Sequence, residues 1–176
     1  YDLQFELLTS SKQIDCNVWL DDYIKRRYGS YSETLRKAWD ILLETCYRND
    51  GYHENEVGST LAARPQLMPI RTGPCCFAKV YYDTGLFEKA AQLFLSVSDE
   101  FEGSDGYQYD LCDIFRQVLS NRFYSNQLKF SQAYDNKDMA LLKALSAEQL
   151  DILADLDNLL SNRSEFCLSR WIGDSH

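Results

Sequence analysis

Between residues 30 and 47 the chain reads SYSETLRKAWDILLETCY. Leu35, Ala38, Trp39, Leu42, Leu43, Cys46 and Tyr47 fall at i, i+3, i+4, i+7, i+8, i+11 and i+12. That spacing lays apolar side chains along one face of an α-helix. A strand would send successive side chains to opposite faces and scatter the same residues. Ser30 with Glu33 forms a capping-box pattern, which predicts the helix start.

The same period recurs on both sides. Upstream, Leu20, Tyr23 and Ile24 run towards Gly29, a natural helix C-cap. Downstream, Phe87, Ala90, Ala91, Phe94 and Leu95 form a third run, with Thr84 as its N-cap. Leu111, Ile114, Phe115, Val118, Leu119 and Phe123 form a fourth. Leu150, Leu153, Leu156, Leu159 and Leu160 follow a second capping-box pattern at Ser146 and Gln149. No stretch alternates as a strand does. The expectation is an all-α fold, a single domain of about six helices over residues 1–176. The chain opens at Tyr1 in mid-pattern, which reads as a piece of a longer protein.

One region breaks the period. From Arg48 to about Asp83 the chain carries all three prolines (Pro65, Pro69, Pro74), with glycines at 51, 58 and 73. Aperiodic connections longer than about 12–15 residues usually carry function or are disordered. This one mixes Arg64, Arg71, Tyr81 and Tyr82 with apolar residues, a composition that suits packing. It is the first place to look for a site.

Composition removes several function classes. The net charge of −9 argues against nucleic acid, because phosphate binding needs a basic face. The dense cations Lys25, Arg26 and Arg27 lie at a predicted helix end, where they complement the helix dipole. No run approaches the roughly 20 apolar residues of a membrane span. The six cysteines show no paired CxxC spacing, and two histidines, one of them His176, give a metal site little to build on. Cys46 and Cys112 sit at apolar helix positions and read as buried thiols. No metal and no cofactor is expected.

Glycoside hydrolysis usually takes two carboxyl groups about 5–5.5 Å apart for retention or about 6.5–9.5 Å for inversion. Asp110 and Asp113 have the right spacing on one helix, but placed in its first turn they more simply stabilise the dipole. Asp21 and Asp22 point in different directions. Glu54 and Glu56 accompany His53 in the long loop, where solvated acids are the default. Most tyrosines lie at core spacings; Tyr81 and Tyr82, where the loop enters a helix, are the pair to face a ligand. Asn162-Arg163-Ser164 is a glycosylation sequon, meaningful in a eukaryotic secretory setting. There is no phosphate-binding glycine loop and no GxSxG elbow.

Four segments in order resemble one family. They are Val18-Trp19-Leu20-Asp21-Asp22-Tyr23 running into Arg26-Arg27-Tyr28-Gly29, with Ala38-Trp39 and Leu42-Leu43 beyond; Arg64-Pro65 with Tyr81-Tyr82-Asp83; Tyr109-Asp110-Leu111-Cys112-Asp113-Ile114 with Arg116-Gln117-Val118-Leu119; and Leu153-Ala154-Asp155-Leu156-Asp157 followed by Phe166-Cys167-Leu168 and Arg170-Trp171-Ile172. Together, from near Phe5 to Trp171, they resemble the C-terminal domain of the α-N-acetylglucosaminidases of glycoside hydrolase family 89. The resemblance implies a retaining, exo-acting enzyme that removes terminal α-linked N-acetylglucosamine, as the lysosomal member does from heparan sulfate. It implies catalytic glutamates in an upstream (β/α)8-like barrel and therefore none in this chain. It also implies that this domain packs on the barrel and walls the substrate cleft, with Arg64, Tyr81 and Tyr82 reaching the substrate. The implied location is secreted, periplasmic or lysosomal. One departure is the tryptophan that the family commonly places in the loop before the Tyr-Asp segment. Here the tryptophans are Trp19, Trp39 and Trp171, so the resemblance implies either a different substrate preference or another side chain, such as Phe77, in that place.

Two competing readings fit less of the chain. Leu86 to Phe94 resembles half of a tetratricopeptide unit, a helical protein-interaction module, but no second copy occurs at the repeat of about 34 residues. A free-standing enzyme using Asp110 and Asp113 would need an open cleft at the start of that helix.

Overall fold

The computed structural model describes residues 2–11, 13–48, 59–71 and 78–175. These form seven α-helices: α1 (Asp2–Thr9), α2 (Cys16–Tyr28), α3 (Glu33–Glu44), α4 (Thr84–Leu95), α5 (Asp105–Asp135), α6 (Met139–Ser161) and α7 (Leu168–Asp174). Short 3-10 turns lie at Thr60–Ala62 and Ser164–Phe166, and no strand occurs among the described residues. The all-α expectation holds.

Local chemistry sets the helix boundaries, and in several places it differs from the sequence reading. Helix α3 is capped by Ser32, whose side chain accepts from the Leu35 N–H, rather than by Ser30. Asp83, not Thr84, caps α4 and accepts from the N–H groups of Gly85 and Leu86. Helix α6 begins at Met139 behind Asp138, so Ser146 lies inside it. Two equally good cap residues stood close together in the first two cases, and a carboxylate satisfies the orphan N–H groups as well as a hydroxyl. At the other end of α2, Gly29 has φ 95° and donates its N–H to the Lys25 carbonyl, the left-handed cap the sequence predicts.

The core is aromatic. Tyr107, Phe94, Ile24 and Leu35 are its largest fully buried side chains. Tyr28 meets Phe94, Phe101 and Tyr107 edge-on at 6.0–6.3 Å between ring centres. Each such pair contributes about 0.5–1.5 kcal/mol beyond the area it buries. The buried Tyr107 hydroxyl donates to the Phe94 carbonyl at 2.5 Å, so the ring enters the core with its polar end satisfied. Helix α5 is the axis of the bundle, touching α2, α4, α6 and the turn at Thr60–Ala62. Where α2 ends against the first turn of α5, a Cβ on Gly106 would lie 2.5 Å from the Arg27 carbonyl oxygen. Only glycine permits that approach.

Candidate functional site

Helix α5 carries an unusual inner face. Alongside Ile114 and Val118 it buries Ser120, Asn121, Asn126, Gln127 and Ser131. Buried polar side chains are costly unless they are hydrogen-bonded, and most of these bond to the chain preceding α4. Ser131 accepts from the Met68 N–H at 3.0 Å, and Gln127 donates to the Gln66 carbonyl at 2.8 Å. The Ser120 hydroxyl pairs with that of Ser59 at 2.9 Å. Residues 59–71 are thus held against the bundle with only the 3-10 turn at Thr60–Ala62 as regular structure of their own.

Between this segment, α5 and α6 runs a groove of about 470 Å³. Arg64, Leu67, Phe123, Gln127, Leu150 and Leu153 are among its walls. Leu150 and Leu153 therefore face the groove and solvent, while the buried contacts of α6 are made by Leu145 and Ile152. Arg64 belongs to this groove; Tyr81 and Tyr82 do not line it.

Tyr82, just before α4, meets α5 at another place. It is half-buried and packs on Phe87 with ring centres 5.5 Å apart. Its hydroxyl donates to Asn121 Oδ1 at 3.0 Å and accepts from Gln117 Nε2 at 3.1 Å; Gln117 Nε2 also donates to Asn121 Oδ1 at 3.0 Å. Burial raises the Tyr82 pKa, against the lowering effect of these two amides. Tyr82 is thus a positioned side chain with a bound hydroxyl. Its neighbour Tyr81 is 48% exposed, with Lys79 Nζ 5.0 Å from its ring centre. The three sequence-predicted residues occupy two places: Arg64 in the groove, and the two tyrosines at the entry to α4.

The two aspartates on α5 are both engaged. Asp110 receives Arg27 at 2.5 Å on each carboxylate oxygen and the Tyr28 hydroxyl at 2.7 Å. Trp39 Nε1 donates to that hydroxyl at 3.0 Å, so Trp39, Tyr28, Asp110 and Arg27 form one chain across three helices. Burial raises the Tyr28 pKa strongly, while the carboxylate's hydrogen bond does most to raise that of Arg27. Asp113 instead takes Arg116 Nε at 2.9 Å. Because α5 starts at Asp105, Asp110 is beyond the first turn, and its partner is Arg27 rather than the helix dipole. Arg27, read from sequence as one of three dipole-complementing cations, is a cross-helix ligand. Both carboxylates that the free-standing enzyme reading would use thus have partners within the chain, Arg27 and Tyr28 for Asp110 and Arg116 for Asp113.

Among the described residues no cluster of three or more His, Cys, Asp or Glu could hold a metal ion. Cys112 is buried and donates weakly to the Leu159 carbonyl, but Cys16 and Cys46 are exposed, against the expectation for Cys46. His53, Glu54, Glu56, Phe77, Cys75 and Cys76 lie outside the described residues. The sequence reading missed Gln117 and Asn121 beside Tyr82. Their signal was present: two amides one turn apart beside the apolar positions Ile114 and Val118.

Residues 19–176 match the α-N-acetylglucosaminidase (NAGLU) C-terminal domain family. The chain belongs to that family. Human α-N-acetylglucosaminidase is 28% identical to this chain over 160 residues, covering 90% of the chain and 21% of the human protein. A family 89 glycoside hydrolase from Clostridium perfringens, solved in complex with PUGNAc, superposes with a TM-score of 0.92 at 33% identity. The superposition covers 99% of this chain and 20% of that one. A double Glu-to-Gln variant from the same organism, solved with its substrate GlcNAc-α-1,4-galactose, gives the same TM-score and identity over the same shares. The chain therefore spans about a fifth of the length of these relatives. No helix of the described residues is long and apolar enough to cross a membrane.

Proposed function

We propose that this chain is the helical wall of an exo-acting, retaining α-N-acetylglucosaminidase, a glycosidase that hydrolyses terminal α-linked N-acetylglucosamine from glycans. In this reading it packs against an upstream catalytic barrel that supplies both glutamates, and it contributes no catalytic residue. The observation that carries the reading is agreement over 99% of the chain with a glycosidase crystallised on GlcNAc-α-1,4-galactose. Engagement of Asp110 and Asp113 in ion pairs supports the same division of labour. On this reading the domain presents Arg64, Tyr81 and Tyr82 to the cleft: Tyr82 as a hydroxyl fixed by Asn121 and Gln117, Tyr81 as an exposed ring, and Arg64 from the groove beside α6. A secreted, periplasmic or lysosomal location goes with such a substrate.

The test compares hydrolysis of a chromogenic α-N-acetylglucosaminide by this chain and by the longer protein that contains it. Turnover only by the longer protein is the expected result. Turnover by this chain alone would refute the reading.

A further inference from the structure

Helix α1 buries no residue. It turns Glu6 towards α2, where the carboxylate accepts from Trp19 Nε1 at 2.6 Å and lies 4.0 Å from Arg26. The rest of its apolar surface is bare: Leu7 is 53% exposed, Phe5 69% and Leu8 86%. Phe5 and Leu8 stand three positions apart and so neighbour each other on the helix surface. A helix of eight residues does not recover the cost of its nucleation from backbone hydrogen bonds in water. Packing of an apolar face supplies the difference in proteins, and this chain leaves that face of α1 largely uncovered.

The match to the family begins at Trp19, so α1 lies ahead of the helical domain that the family defines. The superposition on the Clostridium perfringens hydrolase nonetheless covers 99% of this chain, so the α1 segment has a counterpart in that enzyme. This chain accounts for only 20% of that enzyme's length. The family is that of a C-terminal domain, so the larger body of such an enzyme precedes it. Helix α1 thus stands between the two, bonded to the domain through Glu6 and bare on the side that carries Phe5 and Leu8.

Resting on the function proposed above, we infer that α1 belongs to the preceding catalytic body rather than to the helical domain, and that Phe5 and Leu8 are buried against that body. The seam between the two parts then runs between α1 and α2, and Glu6 reaches across it to Trp19 and Arg26. The apolar face supplies the burial, while the carboxylate, with its fixed indole partner, sets the orientation of one part on the other.

The test uses the full-length enzyme. With Leu8 replaced by p-benzoylphenylalanine, irradiation should join α1 to peptides that precede Tyr1, identified by mass spectrometry after digestion. Links only to α2–α7, to residues beyond His176 or to a second copy of the protein, or no link at all, overturn the inference. Leu8→Ser should lower the thermal unfolding midpoint by about 4–8 °C, the scale of a leucine lost from a packed site. A leucine facing water would shift it by about 2 °C or less, and that result also overturns the inference. Hydrogen exchange on the unaltered enzyme needs no substitution. The α1 amides should exchange at least about 100-fold more slowly than those of an unstructured peptide, and near-free exchange, as in an uncovered two-turn helix, refutes the burial. None of these readouts requires turnover. A full-length protein that forms the expected link yet leaves a chromogenic α-N-acetylglucosaminide intact overturns the proposed function while the seam stands.

Discussion

The junction between α2 and α5 yields a sharp prediction for Gly106→Ala. The added Cβ would lie 2.5 Å from the Arg27 carbonyl oxygen and 3.0 Å from Arg27 Cγ. The first of these is backbone and cannot swing aside, so the two helices must part by about half an ångström or more. Overpacking of this kind costs about 1–3 kcal/mol. The same shift disturbs the Arg27–Asp110 pair, whose oxygens and nitrogens meet at 2.5 Å. Alanine recovers up to about 1 kcal/mol of helix propensity, less in a first turn. The net loss is about 1–2 kcal/mol, or roughly 2–8 °C in Tm for a chain of this size. Thermal melts followed by far-ultraviolet circular dichroism measure it directly. Gly103→Ala is the control, because a Cβ there meets nothing within 4 Å, and it should melt within about 2 °C of the parent. A Gly106→Ala protein as stable as the parent would show that the close approach does not constrain the helices.

Other outcomes follow from the buried phenols. Tyr23 and Tyr107 are pushed up to about 12, in both cases chiefly by burial. A raised folded pKa means the folded chain holds protons that the unfolded chain releases. That share of stability is complete below about pH 10 and should fall as pH climbs from about 10 to 12, read as a declining urea midpoint. A flat midpoint across that window would contradict the burial of these hydroxyls. Tyr28→Phe strands the Trp39 N–H and should cost about 1–2 kcal/mol in urea unfolding. Ser131→Ala removes the acceptor for the Met68 N–H, so amide exchange near Met68 should accelerate while the exchange of α2 to α4 stays unchanged.

The helices that pack a single apolar face were legible in the sequence. Leu35, Ala38 and Leu42 of α3, and Phe87, Ala90, Ala91 and Phe94 of α4, are all buried at the predicted period. Helix α5 was seen only in part. Beyond Phe123 its inner face turns polar, because Gln127 and Ser131 cover loop backbone and Asn126 donates to Glu148 of α6 rather than packing in the core. Helix α6 was cut short for a related reason: its leucines split between the bundle and the open groove, which blurs one face into two. The short helices α1 and α7, one with no buried residue, left little periodic signal. At the site, residue types pointed to Tyr81 and Tyr82, but the engagement of Asp110 by Arg27 spans 83 positions and no local pattern contains it.

The way α5 grips residues 59–71 bears on how such a domain could diversify. Gln127 and Ser131 bind the main chain at Gln66 and Met68, not those residues' side chains. These main-chain atoms are common to every amino acid except proline, which lacks the N–H, so the anchorage tolerates replacement of the side chains displayed between the anchors. The helix acts as a fixed socket, and the segment it holds could be rewritten by point mutation, shifting what the surface recognises while the scaffold beneath stays unchanged.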